Sequence, residues 1–158
     1  MKRFWAIPLG LALLVAACGR PEDRYVGSWA GTLQYDTEAA EALIAMLVPE
    51  MRAETIKQVN SLDLGLELLA DGTYVLEYKN SASSGEATGT WALAEDESEV
   101  SLSEPKMGDG DLDNLVHDIL GAEGEPVPFV LDVGKQAMAR EHEFMGVALK
   151  LTFAKEAK

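Results

Sequence analysis

Alternation of apolar and polar residues is the most regular pattern in the chain, and it extends from residue 25 almost to the C-terminus. A period of two places every second side chain on one face of a β-strand. The pattern predicts about eight strands. The residues assigned to their inward faces are Gly27, Trp29, Gly31, Leu33, Tyr35, Leu62, Leu64, Leu66, Leu68, Tyr74, Leu76, Tyr78, Ala87, Gly89, Trp91, Leu93, Val100, Leu102, Val127, Phe129, Leu131, Val133, Val147, Leu149, Leu151 and Phe153, with a further strand around residues 137–143.

The connections between these strands are mostly of hairpin length. Asp71-Gly72 is typical of a tight hairpin turn, because both residues tolerate positive φ. Consecutive antiparallel strands can close on themselves, which removes both exposed sheet edges. We therefore predict one mainly β domain over residues 25–158, an antiparallel up-and-down barrel of about eight strands. A sandwich, or a half-open sheet capped by helices, is the alternative, because alternation does not show whether the first and last strands pair.

Two segments have the three-to-four spacing of amphipathic helices. The first, residues 37–60, follows strand one and predicts two helices, with Asp36 or Thr37 as the N-cap and Pro49 in the first turn of the second. The second, residues 111–120, precedes the last three strands and ends at Gly121. Their apolar faces are formed by Ala40, Leu43, Ile44, Leu47, Met51, Ile56 and Val59 in the first segment and by Leu112, Leu115, Val116, Ile119 and Leu120 in the second.

The N-terminus has the three parts of a secretory signal. Lys2 and Arg3 precede an uncharged run over residues 4–17, which ends in small residues before Cys18. A stable membrane span needs about 20 apolar residues, so this run is too short, and we expect residues 1–17 to be cleaved.

The tetrapeptide Val15-Ala16-Ala17-Cys18 resembles the lipobox of bacterial lipoproteins. The resemblance implies that Cys18 is acylated after cleavage and anchors the protein in a membrane through residues 18–24. An Asp after the cysteine would favour the inner membrane, whereas this chain has Gly19. The resemblance therefore implies a cell-envelope protein on the outer membrane, facing the periplasm.

The element Gly27-Ser28-Trp29 resembles the lipocalin signature, and Gly89-Thr90-Trp91 repeats it in a middle strand. The domain is similar to small lipocalin-like bacterial lipoproteins, in which hairpins such as Asp71 to Tyr74 recur. This resemblance implies a calycin-like barrel whose first Trp packs at the closed end, with Arg140 as a counterpart of the lipocalin Arg. A helical pair after strand one resembles the fatty-acid-binding proteins, in which it forms a lid over the cavity.

Charge and cysteine content exclude several functional classes. The 158 residues include 27 acidic and 13 basic side chains, a net charge of −14, which argues against nucleic-acid binding. The single cysteine excludes an internal disulfide and a multi-thiolate zinc site. No Gly-x-Ser-x-Gly motif is present, and we expect neither enzymatic activity nor a cofactor.

The sequence also predicts no metal site. Asp109, Asp111 and Asp113 alternate as in a calcium loop, but Asn114 and Leu120 replace the Gly and Glu that such a loop requires. We expect Asp109 or Asp111 to cap the following helix instead. His117 and His142 belong to different predicted elements, which leaves them without a shared cluster.

We expect the barrel to bind an apolar or amphipathic small molecule, or a lipid, beneath the first helical segment. The predicted ligand-binding residues are Trp29, Leu43, Ile44, Leu47, Tyr74, Tyr78, Trp91 and Phe129. The alternative is an acidic protein-interaction or inhibitor module of the envelope that docks a basic protein and has no small-molecule ligand. An eight-stranded barrel can also be filled by its own side chains.

Overall fold

The computed structural model describes residues 19–157, except for the side chain at position 50. The predicted signal peptide and the acylation of Cys18 lie outside these residues. The strands are β1 (Gly27–Tyr35), β2 (Asp63–Leu68), β3 (Thr73–Lys79), β4 (Ser84–Leu93), β5 (Glu99–Leu102), β6 (Val127–Asp132), β7 (Ala137–Phe144) and β8 (Val147–Lys155). The α-helices are α1 (Thr37–Ala45), α2 (Pro49–Asn60) and α3 (Asp111–Leu120), and 3-10 helices cover Pro21–Arg24 and Val133–Lys135.

The eight strands form a closed antiparallel barrel in which each strand pairs with the next and β8 pairs with β1. The closing pair runs from Trp29 opposite Lys155 to Tyr35 opposite Leu149. This pairing confirms the up-and-down barrel and excludes the sandwich and the half-open sheet. The helical segments 37–60 and 111–120 are also confirmed.

The barrel has two different ends. We call the end at which β1 finishes and β2 begins the mouth; α1, α2 and α3 all lie in connections at this end. The opposite, closed end carries Trp29, whose Nε1 donates to the carbonyl of Tyr25 at 3.0 Å. The ammonium of Lys155 lies 5.7 Å from the centre of the Trp29 ring. Lys155, directly opposite Trp29 in the sheet, therefore has the place expected for Arg140, which lies nearer the mouth.

Large side chains fill the interior between the two ends. The largest fully buried ones are Trp29, Tyr74, Tyr78, Phe129, Phe153, Leu66, Leu68, Leu76, Leu102, Met138, Leu151 and Val100. Two inward glycines make room for rings: Gly85 lies opposite Tyr78, and Gly89 lies opposite Tyr74. A Cβ atom at Gly89 would approach the Tyr74 ring to 2.6 Å. The interior is thus packed by aromatic rings over glycine.

The helices are covered to different extents. Leu112, Val116, Ile119 and Leu120 of α3 are buried, and α3 contacts β4, β7 and β8. In contrast, no described side chain of α1 or α2 is fully buried. The helix α3 therefore plugs part of the mouth, whereas α1 and α2, which we call the hairpin, lie on its outside.

Two local predictions are wrong. The N-cap of α3 is Gly110 rather than Asp109 or Asp111, because Asp113 reaches back and accepts the N–H of Gly110 at 2.9 Å. Val133 does not continue β6 as an inward residue. It is 55% exposed and begins a 3-10 helix, because Asp132 accepts the N–H of Lys135. The predicted cap at Asp36 is confirmed by bonds from the N–H groups of Glu38 and Ala39.

Candidate functional site

The barrel interior is incompletely covered at the mouth. Four leucines pack against the core there but remain partly exposed: Leu33, Leu62, Leu115 and Leu149. They come from β1, the connection between α2 and β2, α3 and β8. Because side chains from four separate elements converge, the mouth offers an apolar surface between the hairpin and α3.

A groove of about 420 Å³ crosses the ends of β1, β7 and β8 at the mouth. Its lining combines outward residues of these strands, among them Gln34, Glu141 and Lys150, with the inward residues Tyr35, His142 and Leu149. A larger depression of about 510 Å³ lies across β2, β3 and β4, where charged outward residues such as Glu77 and Glu86 line it together with Tyr78 and Gly85 of the mouth. Leu149, one of the four leucines of the mouth, lines the first of these two regions.

Some apolar side chains of the hairpin are half-buried and others are exposed. Leu43, Ile44 and Leu47 are half-buried, whereas Met46 is 83% exposed and Val48 is 54% exposed. The α1 helix contacts α2 and β8. The apolar side chains of the hairpin are therefore much less buried than those of α3.

The backbone at the tip of the hairpin is held from within. Arg52 donates from Nε to the carbonyl of Leu47 at 2.9 Å and from Nη2 to the carbonyl of Ala45 at 2.6 Å. At the base, the hydroxyl of Tyr35 donates to Oδ1 of Asn60 at 2.8 Å. Because side chains form hydrogen bonds at both the tip and the base, the backbone that carries the apolar residues of the hairpin has a defined conformation.

Polar side chains of the barrel wall fasten α3 at the mouth. The phenol of Tyr78 donates to Oδ1 of Asp113 near the start of α3. Burial and this hydrogen bond, together with the carboxylate charge, raise the pKa of Tyr78 well above its usual value. At the other end of α3, Nε2 of His142 lies 2.9 Å from the carbonyl of Asp118. Because a carbonyl only accepts, Nε2 carries the proton in this bond.

The structure divides the predicted ligand-binding residues into two groups. Trp29, Tyr74, Tyr78, Trp91 and Phe129 belong to the buried core, and only Tyr78 bonds to an element of the mouth. The second group, Leu43, Ile44 and Leu47, lies on the hairpin.

Sequence reasoning missed several residues of the mouth. Leu149 and Tyr35 were assigned to inward faces but not to the site, and both line the groove. Arg140 and His142 alternate with Met138 on β7, so the period of two contained a signal for their inward position.

Neither a metal centre nor a membrane-spanning helix is found in the part of the chain that the structure describes. No three His, Cys, Asp or Glu side chains among residues 19–157 are grouped so as to hold a metal ion. Within the same range, no helix has the length and apolar character needed to cross a bilayer.

Comparison with protein-family models gives no match, and comparison with curated proteins gives none either. Solved structures that resemble the barrel include the following three. An extracellular fatty acid binding protein, As-p18, has 10% identity and a TM-score of 0.43, covering 85% of this chain and 97% of that one. The REP1-NXSQ fatty acid transporter has 6% identity and a TM-score of 0.42, covering 86% and 98%.

The third structure is a DUF4847 family protein from Bacteroides vulgatus, with 13% identity and a TM-score of 0.44, covering 87% of this chain and 98% of that one. At this level of similarity, none of the three assigns a ligand to this chain.

Proposed function

We propose that this chain is an envelope lipoprotein that binds one amphipathic small molecule or lipid at the barrel mouth. The observation that carries the proposal is the contrast between the helices. Four apolar residues of α3 are buried against the barrel, but the hairpin leaves apolar side chains partly uncovered beside a mouth of half-buried leucines. An apolar chain between these surfaces would complete the burial of both.

The gain from such burial is large enough to matter. Fully burying a Leu or Ile side chain stabilises by about 1.5–3 kcal/mol relative to full exposure. Because Leu43, Ile44 and Leu47 are already partly buried, covering the rest of each contributes at most about 0.5–1 kcal/mol. Three such contacts, with the leucines of the mouth, support binding of a single acyl chain.

The filled interior restricts where this ligand lies. Side chains such as Phe129 and Phe153 are fully buried and pack edge to face, with ring centres 5.6 Å apart. A chain entering that layer would have to displace them. We therefore propose that the ligand occupies the mouth, rather than the layers around Trp29, Tyr74 and Trp91.

The membrane anchor belongs to the same proposal. Arg24 forms an ion pair with Glu97 at 2.5 Å, and the neighbouring Tyr25 donates to the same carboxylate. These contacts hold the N-terminal segment at the closed end. An acylated Cys18 would therefore place the closed end towards the outer membrane and the mouth towards the periplasm. We further propose that the protein binds without catalysing a reaction.

Two measurements test ligand binding. Mass spectrometry of organic extracts of the purified protein should identify a co-purifying amphiphile. Titration with a fluorescent fatty acid should show binding that Ile44→Asp and Leu47→Asp each weaken by about tenfold. Val130→Asp is the matched control, because Val130 is an apolar residue, 65% exposed, on the outward face of β6. No extracted ligand and no binding by the unmodified protein would contradict the proposal.

The anchor is tested separately. Cys18→Ser should release the protein from the membrane fraction, because acylation requires the thiol. Continued sedimentation of the variant with membranes would contradict the anchor without bearing on ligand binding.

A second candidate is the acidic protein-interaction module. The observation that favours it is the exposure of Met46, Val48 and Met51 at one tip of a chain with net charge −14. A basic envelope protein with an apolar groove would be its partner. This candidate predicts that no amphiphile is extracted and that Met46→Asp abolishes association with the partner.

A further inference from the structure

The tip of the hairpin carries methionine side chains that solvent reaches. Of the methionines that the structure describes, Met46 and Met51 at this tip are exposed, Met46 by 83%. Met145, in the turn between β7 and β8, is also exposed, whereas Met138 is 0% exposed inside the barrel. Since an oxidant in solution reaches exposed sulfur first, the structure predicts which of these methionines are oxidised and which is protected.

Arg52 holds the backbone of this tip together. Its guanidinium donates to the carbonyls of Ala45 and Leu47, which lie on either side of Met46 in the sequence. Met51 directly precedes Arg52 near the start of α2. Both thioethers therefore belong to residues that adjoin, in sequence, the donor or the acceptors of the bonds that close the tip.

Oxidation changes the hydrogen bonding of a methionine side chain. The thioether sulfur is a weak acceptor, whereas the sulfoxide is polar and its oxygen accepts strongly. A sulfoxide at Met46 or Met51 would compete with the two backbone carbonyls for the N–H groups of Arg52. It would also place a polar oxygen close to Leu47, a residue of the proposed ligand site.

The covalent step needs a two-electron oxidant, and hypochlorous acid belongs to this class. The sulfur lone pair takes chlorine from the acid, which breaks the O–Cl bond, and water then forms the S–O bond as chloride leaves. The balanced reaction converts one thioether and one hypochlorous acid into one sulfoxide, one chloride ion and one proton. Sulfur loses two electrons and chlorine gains them. Methionine sulfoxide reductases reverse the modification.

We propose that Met46 and Met51 form a modification site, at which oxidation to the sulfoxide loosens the hairpin tip and weakens ligand binding at the mouth. The inference rests on the proposed function, because the ligand would lie between the hairpin and the mouth, and because an envelope protein meets oxidants that arrive from outside the cell. It adds the regulation of that site. The ligand is held while the tip is reduced and is released when the tip is oxidised.

The test treats the purified protein with a small excess of hypochlorous acid, quenches the reaction with free methionine and maps sulfoxides by mass spectrometry of peptides. Met46 and Met51 should be oxidised while Met138 is not. The oxidised protein should bind a fluorescent fatty acid at least about fivefold more weakly, and amide exchange in residues 37–60 should be faster. Reductases for both sulfoxide epimers should restore both properties.

Two variants separate this site from other methionines. The double variant Met46→Leu, Met51→Leu should keep its fatty-acid binding and its slow amide exchange after treatment, because leucine is apolar and has no thioether. Met145→Leu is the matched control, because it removes an exposed methionine outside the hairpin. It should lose binding after treatment as the unmodified protein does.

The outcomes separate the inference from the proposed function. Unchanged binding and unchanged amide exchange in protein that carries both sulfoxides would overturn the inference, while binding at the mouth would stand. An equal loss of binding in the double variant would also overturn it, since the effect would then come from another residue. Absence of fatty-acid binding before treatment would contradict the proposed function instead. Amide exchange would then still decide whether oxidation releases the tip.

Discussion

Gly85 is the position where the packing of the mouth can be tested most sharply. A Cβ atom added there would lie 2.7 Å from Cζ of Tyr78 and 2.8 Å from Oδ1 of Asp113. Neither neighbour can move freely, because Tyr78 is 2% exposed and donates to Asp113. Gly85→Ala therefore forces apart the pair that joins β3 to α3.

The expected cost follows from these contacts. Adding a methyl group to a well-packed site costs about 1–3 kcal/mol, and loss of the bond to Asp113 adds to this cost. Gly65→Ala, on the outward face of β2, is the matched control, since no atom lies within 4 Å of the position of its Cβ. It should be neutral or stabilise by up to about 1 kcal/mol, because glycine weakens a strand.

Urea unfolding, followed by the fluorescence of the buried Trp29 and Trp91, measures both variants under the same conditions. We predict that Gly85→Ala lowers the free energy of unfolding by about 1–3 kcal/mol and the Tm by roughly 3–10 °C. If Gly85→Ala is as stable as Gly65→Ala, Tyr78 does not lie across Gly85 in the folded protein. The account of how α3 is fastened would then be wrong.

Three further predictions concern titration, the hairpin and ligand linkage. Burial raises the pKa of Tyr74 to about 12 from about 10 in the unfolded chain. The stability that protonated Tyr74 contributes is therefore complete below pH 10 and is lost as the pH rises towards 12. Alkaline unfolding of the protein and of Tyr74→Phe should show this loss, and equal alkaline stability of the two would contradict it. Asp36→Ala removes the cap of α1, worth about 1 kcal/mol, and should speed amide exchange in residues 37–45, whereas Asp36→Asn should not; equal rates would contradict the cap. A fatty acid at about 100 times its Kd should stabilise the protein by about 2.7 kcal/mol. The same concentration should stabilise Leu47→Asp less. Equal shifts in the Tm of the two proteins would place the ligand away from the hairpin.

The strands and helices were predictable because antiparallel strands alternate between core and solvent. Leu64, Leu66 and Leu68 all point inward as the period of two requires. The closing pair of β1 with β8 was not decided by this pattern, because it depends on sheet curvature over the whole domain. The structure alone supplies that register.

The candidate site was predictable only in part, because two apolar stripes of similar spacing have different environments. The stripe of α3 is buried, while that of the hairpin is half-buried, and spacing does not reveal which surface a helix meets. Alternation placed Arg140 inward, but its acceptors, Gly121 and Pro128, come from a distant part of the chain. The free volume inside the barrel could not be predicted from the sequence either. Whether Tyr78 and Phe129 fill the interior depends on how all the side chains pack together.

Amide hydrogen exchange with and without a long-chain fatty acid tests the central claim most directly. If the ligand lies at the mouth, protection should rise in residues 37–60 and at the end of α3, while the closed end around Trp29 remains unchanged. Protection that does not change in the hairpin, or that rises only on the outer face of β2 to β4, would contradict binding at the mouth.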